Sequence, residues 1–282
     1  MKVEDATKLI DSNLEKLHES LASGKSEVLE DVLRTMAKFH KYSLSNIMLI
    51  LCQKEDATMV AGFNRWKELG RFVKAGEKGI AILVPMQLKA AREDDSRAFK
   101  FKPKEEMDTF LKEHPDADVQ SFTRFRVGYV FDVSQTDGAP LPELDKAKGD
   151  PGCYSDRLKS LVKDLDIELE YQDSLGGAYG VSFGGRIELM QGMEPAQEFQ
   201  VLVHELAHEL LHKGDDRKDI SKSQRELEAE AVAFVVAESI GLDTGSASSD
   251  YIQLYRGDPE ALKASLTKIR ASASKILEAL HS

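Results

Sequence analysis

Long apolar runs are missing from this chain of 282 residues, and cysteine is scarce. Its two cysteines, Cys52 and Cys153, stand far apart without C-x-x-C spacing, which argues against a disulfide framework and against a cysteine zinc site. The stretch "NIMLILC" is far too short to cross a bilayer, and the start, "MKVEDATKLI", carries acids early and no signal-peptide core. Together these absences predict a cytoplasmic protein without a membrane partner. Internal repeats and low-complexity segments are also lacking. With 41% apolar and 31% charged residues, the composition is that of a soluble globular protein, long enough for two domains.

What is present is concentrated in "VLVHELAHELLHKG", residues 201 to 214. Phe199, Leu202, Val203, Leu206 and Leu210 recur at three- and four-residue steps, the period of a helix face. Pro195 suits the first turn, and Lys213-Gly214 suits the end, so the spacing predicts a helix over about 195–213. His204 and His208 then share one face and can reach one ion, while Glu205 stands beside them to hold a water. Two histidines on an apolar face need something to bind their ring nitrogens. His212, one turn further, reads as a helix-end histidine favourable to the dipole.

A catalytic zinc needs a third protein ligand and an open position for water. The segment "RELEAEAVAFVVAESIGL" predicts a second buried helix ending at Gly241, with Glu226, Glu228 and Glu230 in competition. Glu226 and Glu230 share a face, and Glu228 points away from them. Glu230, flanked by alanines and one turn before Phe234, is the preferred ligand, Glu226 the alternative, and Glu228 a surface residue. The reading is one divalent ion, zinc or a substitute, held by His204, His208 and Glu230, with Glu205 as general base for peptide hydrolysis. Tyr179, Tyr251 and Tyr255 are candidate oxyanion donors.

"HELAHELLH" followed by "EAEAVAF" resembles the zincin-like peptidases with a glutamate third ligand, including the ImmA/IrrE type. The motif "E-A-x-x-F-A" that carries the ligand in that type begins on Glu230 here and departs at Val235. Upstream, "GGAYGVSFGGRIELM" predicts two short strands joined at Gly184-Gly185, with "RIELM" as the edge open to an extended peptide.

The net charge of -11 is unevenly spread. Residues 1 to 140 hold 22 basic and 23 acidic side chains, so the acidity lies in the rest, while 65 to 104 hold eleven basic against five acidic. Arg65, Trp66, Lys67, Arg71, Lys74 and Lys78, together with Arg124 and Arg126 of "FTRFRVGYVF", mix cations with aromatic rings, the pattern of a single-stranded nucleic-acid surface. "YSLSNIMLIL", "ATMVAGFNRWKELGRFVKAGEKGIAILVP" and "FRVGYVFDVSQTDGAPLP" resemble the N-terminal domain of the ArdC-type antirestriction proteins. That resemblance implies single-stranded DNA as a partner and a fused zincin-like domain. Residues 87 to 120 look longer than the family's usual connection, with "PKEEMDTFLKEH" as an extra surface helix and Lys100, Lys102 and Lys104 of unassigned role.

The expected fold is α+β in two domains, 1–145 binding single-stranded DNA and 146–282 zincin-like, the latter's H-E-x-x-H helix packed on a small mixed sheet. Helices are predicted near 3–22, 26–41, 43–53, 64–70 and 155–165, strands near 79–86 and 123–133, and "PEALKASLTKIRASASKILEAL" as a closing helix. Two alternatives stand beside this reading. One is a DNA-binding factor with a merely structural zinc domain; the other is a cytosolic regulatory peptidase that cleaves a repressor or toxin without DNA.

Overall fold

The computed structural model describes residues 1–25, 27–92, 100–101, 104–115, 118–141, 150–212, 220–242 and 258–282. Three helices open the chain: α1 (Val3–Ala22), α2 (Glu27–Lys38) and α3 (Leu44–Gln53). In α1 the buried residues Ala6, Ile10, Leu14, Leu17 and Leu21 follow the helical period. The Ser43 hydroxyl caps α3 by accepting from Asn46 N.

The first sheet has the order β1-β5-β3-β4, built from β1 (Val60–Gly62), β3 (Ile80–Arg92), β4 (Lys100–Phe101) and β5 (Asp118–Asp132). Between β1 and β3 come the short helix α4 (Phe63–Glu68) and β2 (Arg71–Val73), the latter paired with β6 (Thr136–Gly138). Strands β3 and β5 pair antiparallel from Ile80 opposite Val130 out to Arg92 opposite Asp118. The two strands predicted at 79–86 and 123–133 are thus the root of one long antiparallel pair, which β3 and β5 continue to Arg92 and Asp118. Helix α5 (Lys104–Glu113) follows β4, and Met107 and Phe110 anchor it in a small apolar cluster beside Leu111 and Val119. Lys100 falls in β4 and Lys104 starts α5, whereas Lys102 lies outside the described residues.

Near its root β3 has an open edge, and side-chain amides cover it. Asn46 accepts from Leu83 N at 2.8 Å and donates to Leu83 O at 2.9 Å; Gln53 accepts from Ala81 N at 3.0 Å and donates to Ala81 O at 2.9 Å. The backbone groups of that edge are satisfied without another strand.

The second half begins with α6 (Cys153–Asp164) and a three-stranded sheet, β7 (Glu168–Gln172), β8 (Gly180–Ser182) and β9 (Arg186–Met190), in the order β7-β9-β8. Pairing is parallel for β7 and β9 and antiparallel for β8 and β9. The turn at Gly184-Gly185 is as predicted, both glycines having positive φ. The expected edge is not: "RIELM" is the central strand, and β8 lies at the edge. Strand order depends on pairing with the distant β7, which no local pattern encodes.

Helices α7 (Pro195–Leu211), α8 (Lys222–Ile240) and α9 (Pro259–Leu280) complete the chain. Pro195 and Pro259 occupy first-turn positions, and Gly241 caps α8 in the left-handed conformation. The boundary predicted near 145 and the cap predicted at Gly214 lie outside the described residues. One buried apolar cluster runs from Ala6 on α1 through α8 to Leu280 on α9, with α2 packed on α8. The first and last parts of the chain therefore have separate sheets but a common core. Among the described residues no helix is long and apolar enough to cross a membrane.

Candidate metal centre and sheet surface

Helix α7 lies against β8 and β9. The contact is close at Gly180, where a Cβ would fall 2.7 Å from Val201 Cγ1 and 2.8 Å from Glu205 Cγ, so only glycine fits above the glutamate. Pinning the turn from below, the buried Glu209 carboxylate accepts from Ser182 Oγ at 2.6 Å and from Gly184 N and Gly185 N at 2.7 Å. Between β8, α7 and α8 opens a cleft of about 330 Å³, lined among others by Gly180, Val181, His204, Glu205, His208 and Glu226.

His204 Nε2 and His208 Nε2 are 3.1 Å apart, and Glu226 Oε2 lies 3.5 Å from the first and 3.6 Å from the second. One donor atom from each of the three lies within 4.8 Å of the others. Burial lowers the pKa of His204; burial and then the charge of His204 lower that of His208 to about 4. Both rings are thus neutral at neutral pH, the form that can ligate a metal. Two imidazole nitrogens and one carboxylate, converging beside open space, fit a divalent ion such as zinc. Glu205, seated between the cleft and the apolar helix face, has its pKa raised to about 7, first by burial and then by the charge of Glu226.

Glu230, the preferred third ligand from sequence, is exposed and outside this group. Helix α8 buries Leu227, Ala229, Ala231, Val232, Phe234 and Val235 around most of its girth. Glu230 occupies the remaining stripe, because buried neighbours on either side are each turned about 100° from it. Glu226, one turn earlier, comes to the histidines instead. Glu228 is equally unlike its expectation: its side chain is 2% exposed and lies 2.9 Å from His212 Nε2, also 2% exposed. The signal for that pair was the third histidine in step with His204 and His208. Tyr179 is half exposed just before β8, while Tyr251 and Tyr255 lie outside the described residues.

In the first half, Trp66 is fully buried and donates its indole N–H to Phe131 O at 2.8 Å, so it cannot stack on a base. Arg65 and Lys67, which flank it, are both exposed. Arg65 pairs with Glu68 at 2.9 Å. Arg71 is spent on structure, donating to Thr136 O, Thr136 Oγ1, Gly138 O and Ala139 O. Lys74 is exposed beside Ser134 O at 2.9 Å and Asp137 at 3.8 Å, and Lys78 is exposed. Arg124 and Arg126 are exposed on one face of β5, opposite Met86 and Val84 in register. The other face carries Phe125 and Tyr129, each about half exposed, and leads to Phe131, whose ring meets exposed Phe63 edge-on at 6.5 Å. Among the described residues of this region the open rings are Phe63, Phe72, Phe125 and Tyr129, not Trp66.

Residues 3–131 match the family model of the N-terminal domain of anti-restriction factor ArdC. Two crystal structures of the antirestriction ArdC protein from plasmid R388 share the fold over nearly the whole chain. The metal-free one is 17% identical with a TM-score of 0.51, covering 97% of this chain and 98% of that one. The Mn(II)-bound one is 14% identical with a TM-score of 0.52, covering 96% and 98%. An uncharacterized protein of Bacillus anthracis is 24% identical over 284 aligned positions, 89% of this chain. The chain spans 48% of that protein's own length.

Proposed function

We propose that this chain is an antirestriction-type protein that binds single-stranded DNA through its N-terminal half and hydrolyses peptide bonds at a zincin-like metal site. The observation that carries the second part is the convergence of His204, His208 and Glu226 beside a Glu205 carboxyl whose pKa is raised to about 7. His204, His208 and Glu226 would hold a divalent ion there, zinc by donor type, which would supply a Lewis acid for the scissile carbonyl. Glu205 would take the proton from the attacking water and pass it to the leaving amine; a pKa near the working pH suits both transfers. Strand β8, at the sheet edge above Glu205, offers main-chain groups to an extended peptide. An open cleft next to the acid favours catalysis over a purely structural ion. Glu230 is not part of this assignment; Glu226 takes its place.

Support for the DNA part comes from the ArdC N-terminal match and from exposed rings beside Arg65, Lys67, Lys74 and Lys78. Bases would stack on Phe125, Tyr129 and Phe63, and the cations would follow the phosphates. Anisotropy titrations with single-stranded and duplex oligonucleotides test this: tighter single-strand binding that weakens steeply with salt is expected. Equal affinity for the two forms removes the single-strand assignment and leaves the peptidase reading without DNA. Metal analysis of the purified chain tests the other half. Glu226→Ala should lose the ion and Glu230→Ala should keep it; the reverse result returns the ligand role to Glu230.

A further inference from the structure

His204, His208 and His212 follow one another at four-residue steps along α7 and its C-cap, yet only the first two reach Glu226. His212 Nδ1 lies 3.1 Å from His208 Nδ1, and its Nε2 lies 2.9 Å from Glu228 Oε2 on α8. Beyond it, Glu228 Oε1 accepts from Ser265 Oγ on α9 at 2.6 Å and from Gln224 Nε2 at 3.1 Å. His212, Glu228 and Ser265 are 4%, 1% and 3% exposed, so three helices meet in a polar chain shielded from solvent.

Between neutral rings the geometry allows one direction for each bond. An ionised carboxylate only accepts, so His212 Nε2 carries a proton. A neutral imidazole has one N–H, which leaves His212 Nδ1 an acceptor and makes His208 Nδ1 the donor. His208 Nε2 then has a bare lone pair, and it is this atom that lies 3.1 Å from His204 Nε2 and 3.6 Å from Glu226 Oε2. We propose that His212 and Glu228 are positioning residues that hold His208 in the Nδ1–H tautomer, presenting Nε2 to a divalent ion, with Ser265 and Gln224 fixing Glu228 in turn. The ligand role of His208 rests on the metal reading above; the tautomer does not.

Partners of this kind, one bond behind a ligating histidine, are typically worth about 10- to 100-fold in metal affinity. The test uses the full chain with 15N-labelled histidine. Long-range 1H–15N spectra of the metal-free protein report which His208 nitrogen is protonated, and chelator competition gives Zn(II) and Mn(II) affinity. Wild type should show the Nδ1–H form. His212→Phe, which keeps a ring but no acceptor, should lose that form and bind zinc about 10- to 100-fold more weakly. His212→Gln, whose amide can accept from His208 and donate to Glu228, should recover both signals.

An unchanged tautomer and affinity in His212→Phe overturns the proposal, as does a His212→Gln protein no different from His212→Phe. If wild type takes up neither metal, the peptidase reading fails by itself and the tautomer alone decides this inference. If His212→Phe does not fold, an Nε2–H form of His208 in wild type is still sufficient to overturn it.

Discussion

Asp132 at the foot of β5 and Glu205 on α7 are both buried carboxylates, and their surroundings push them in opposite directions. Burial raises the pKa of each, but Asp132 accepts from Thr58 N, Met59 N and Ser134 N at 2.8 to 3.0 Å, and its pKa ends below the usual 3.8. Glu205 has the charge of Glu226 nearby, and its pKa rises to about 7. One region spends three backbone donors to hold an acid ionised; in the other, burial and a like charge outweigh a backbone bond from Ser182 and leave an acid able to exchange its proton near neutrality.

The largest effect expected from this contrast is on chemistry. Glu205→Gln should reduce peptide hydrolysis by about 10²-fold or more while metal content stays unchanged. Cleavage at the wild-type rate would remove Glu205 from the mechanism. A smaller pair of effects should differ in sign. In the metal-free protein the raised Glu205 pKa means that the unfolded chain ionises first, so stability falls as pH rises from 4.5 to about 7. Glu205→Gln should remove that fall, worth up to about 3 kcal/mol at pH 8 and nothing below pH 4.5.

Asp132→Asn should instead cost about 3 kcal/mol at neutral pH, because an amide cannot accept from three donors as a carboxylate does. Here the depressed pKa gives stability that is fully present above 3.8 and lost as pH falls through the folded value, so the gap to wild type should close in acid. Urea melts across pH check both signs, and parallel pH dependence for the two variants would break the contrast.

Smaller again are the effects on the sheet surface. Phe125→Ala and Tyr129→Ala should each weaken single-strand binding by about 1–3 kcal/mol with little change in melting temperature, whereas Trp66→Phe should lower stability through its lost bond to Phe131 O. Anisotropy and thermal melts on the same samples separate the two outcomes. A stable Trp66→Phe protein with a DNA defect as large as that of Phe125→Ala would restore the tryptophan to the interface. Least of all, Lys78→Gln should flatten the salt slope by about one counterion, and an unchanged slope would place Lys78 away from the phosphates.

What was legible in the sequence is what repeats locally. The apolar period of α7 located His204, Glu205 and His208, and alternation marked the roots of β3 and β5. The choice among Glu226, Glu228 and Glu230 was not legible, since α8 is apolar around most of its circumference and has no single buried face to read. The His212–Glu228 pair and the central place of β9 were hidden for the same reason: each depends on which distant element packs alongside. Trp66 misled because its cationic neighbours are exposed while its own ring is buried.

The common core of the two halves bears on how such a chain can be taken apart. Helices α8 and α9 keep part of their apolar surface dry by lying against α1 and α2. The ArdC-like segment is therefore not a cassette that recombination can move intact onto another partner. Separating it would expose a greasy seam on both pieces, and each would need a new lid before it was soluble.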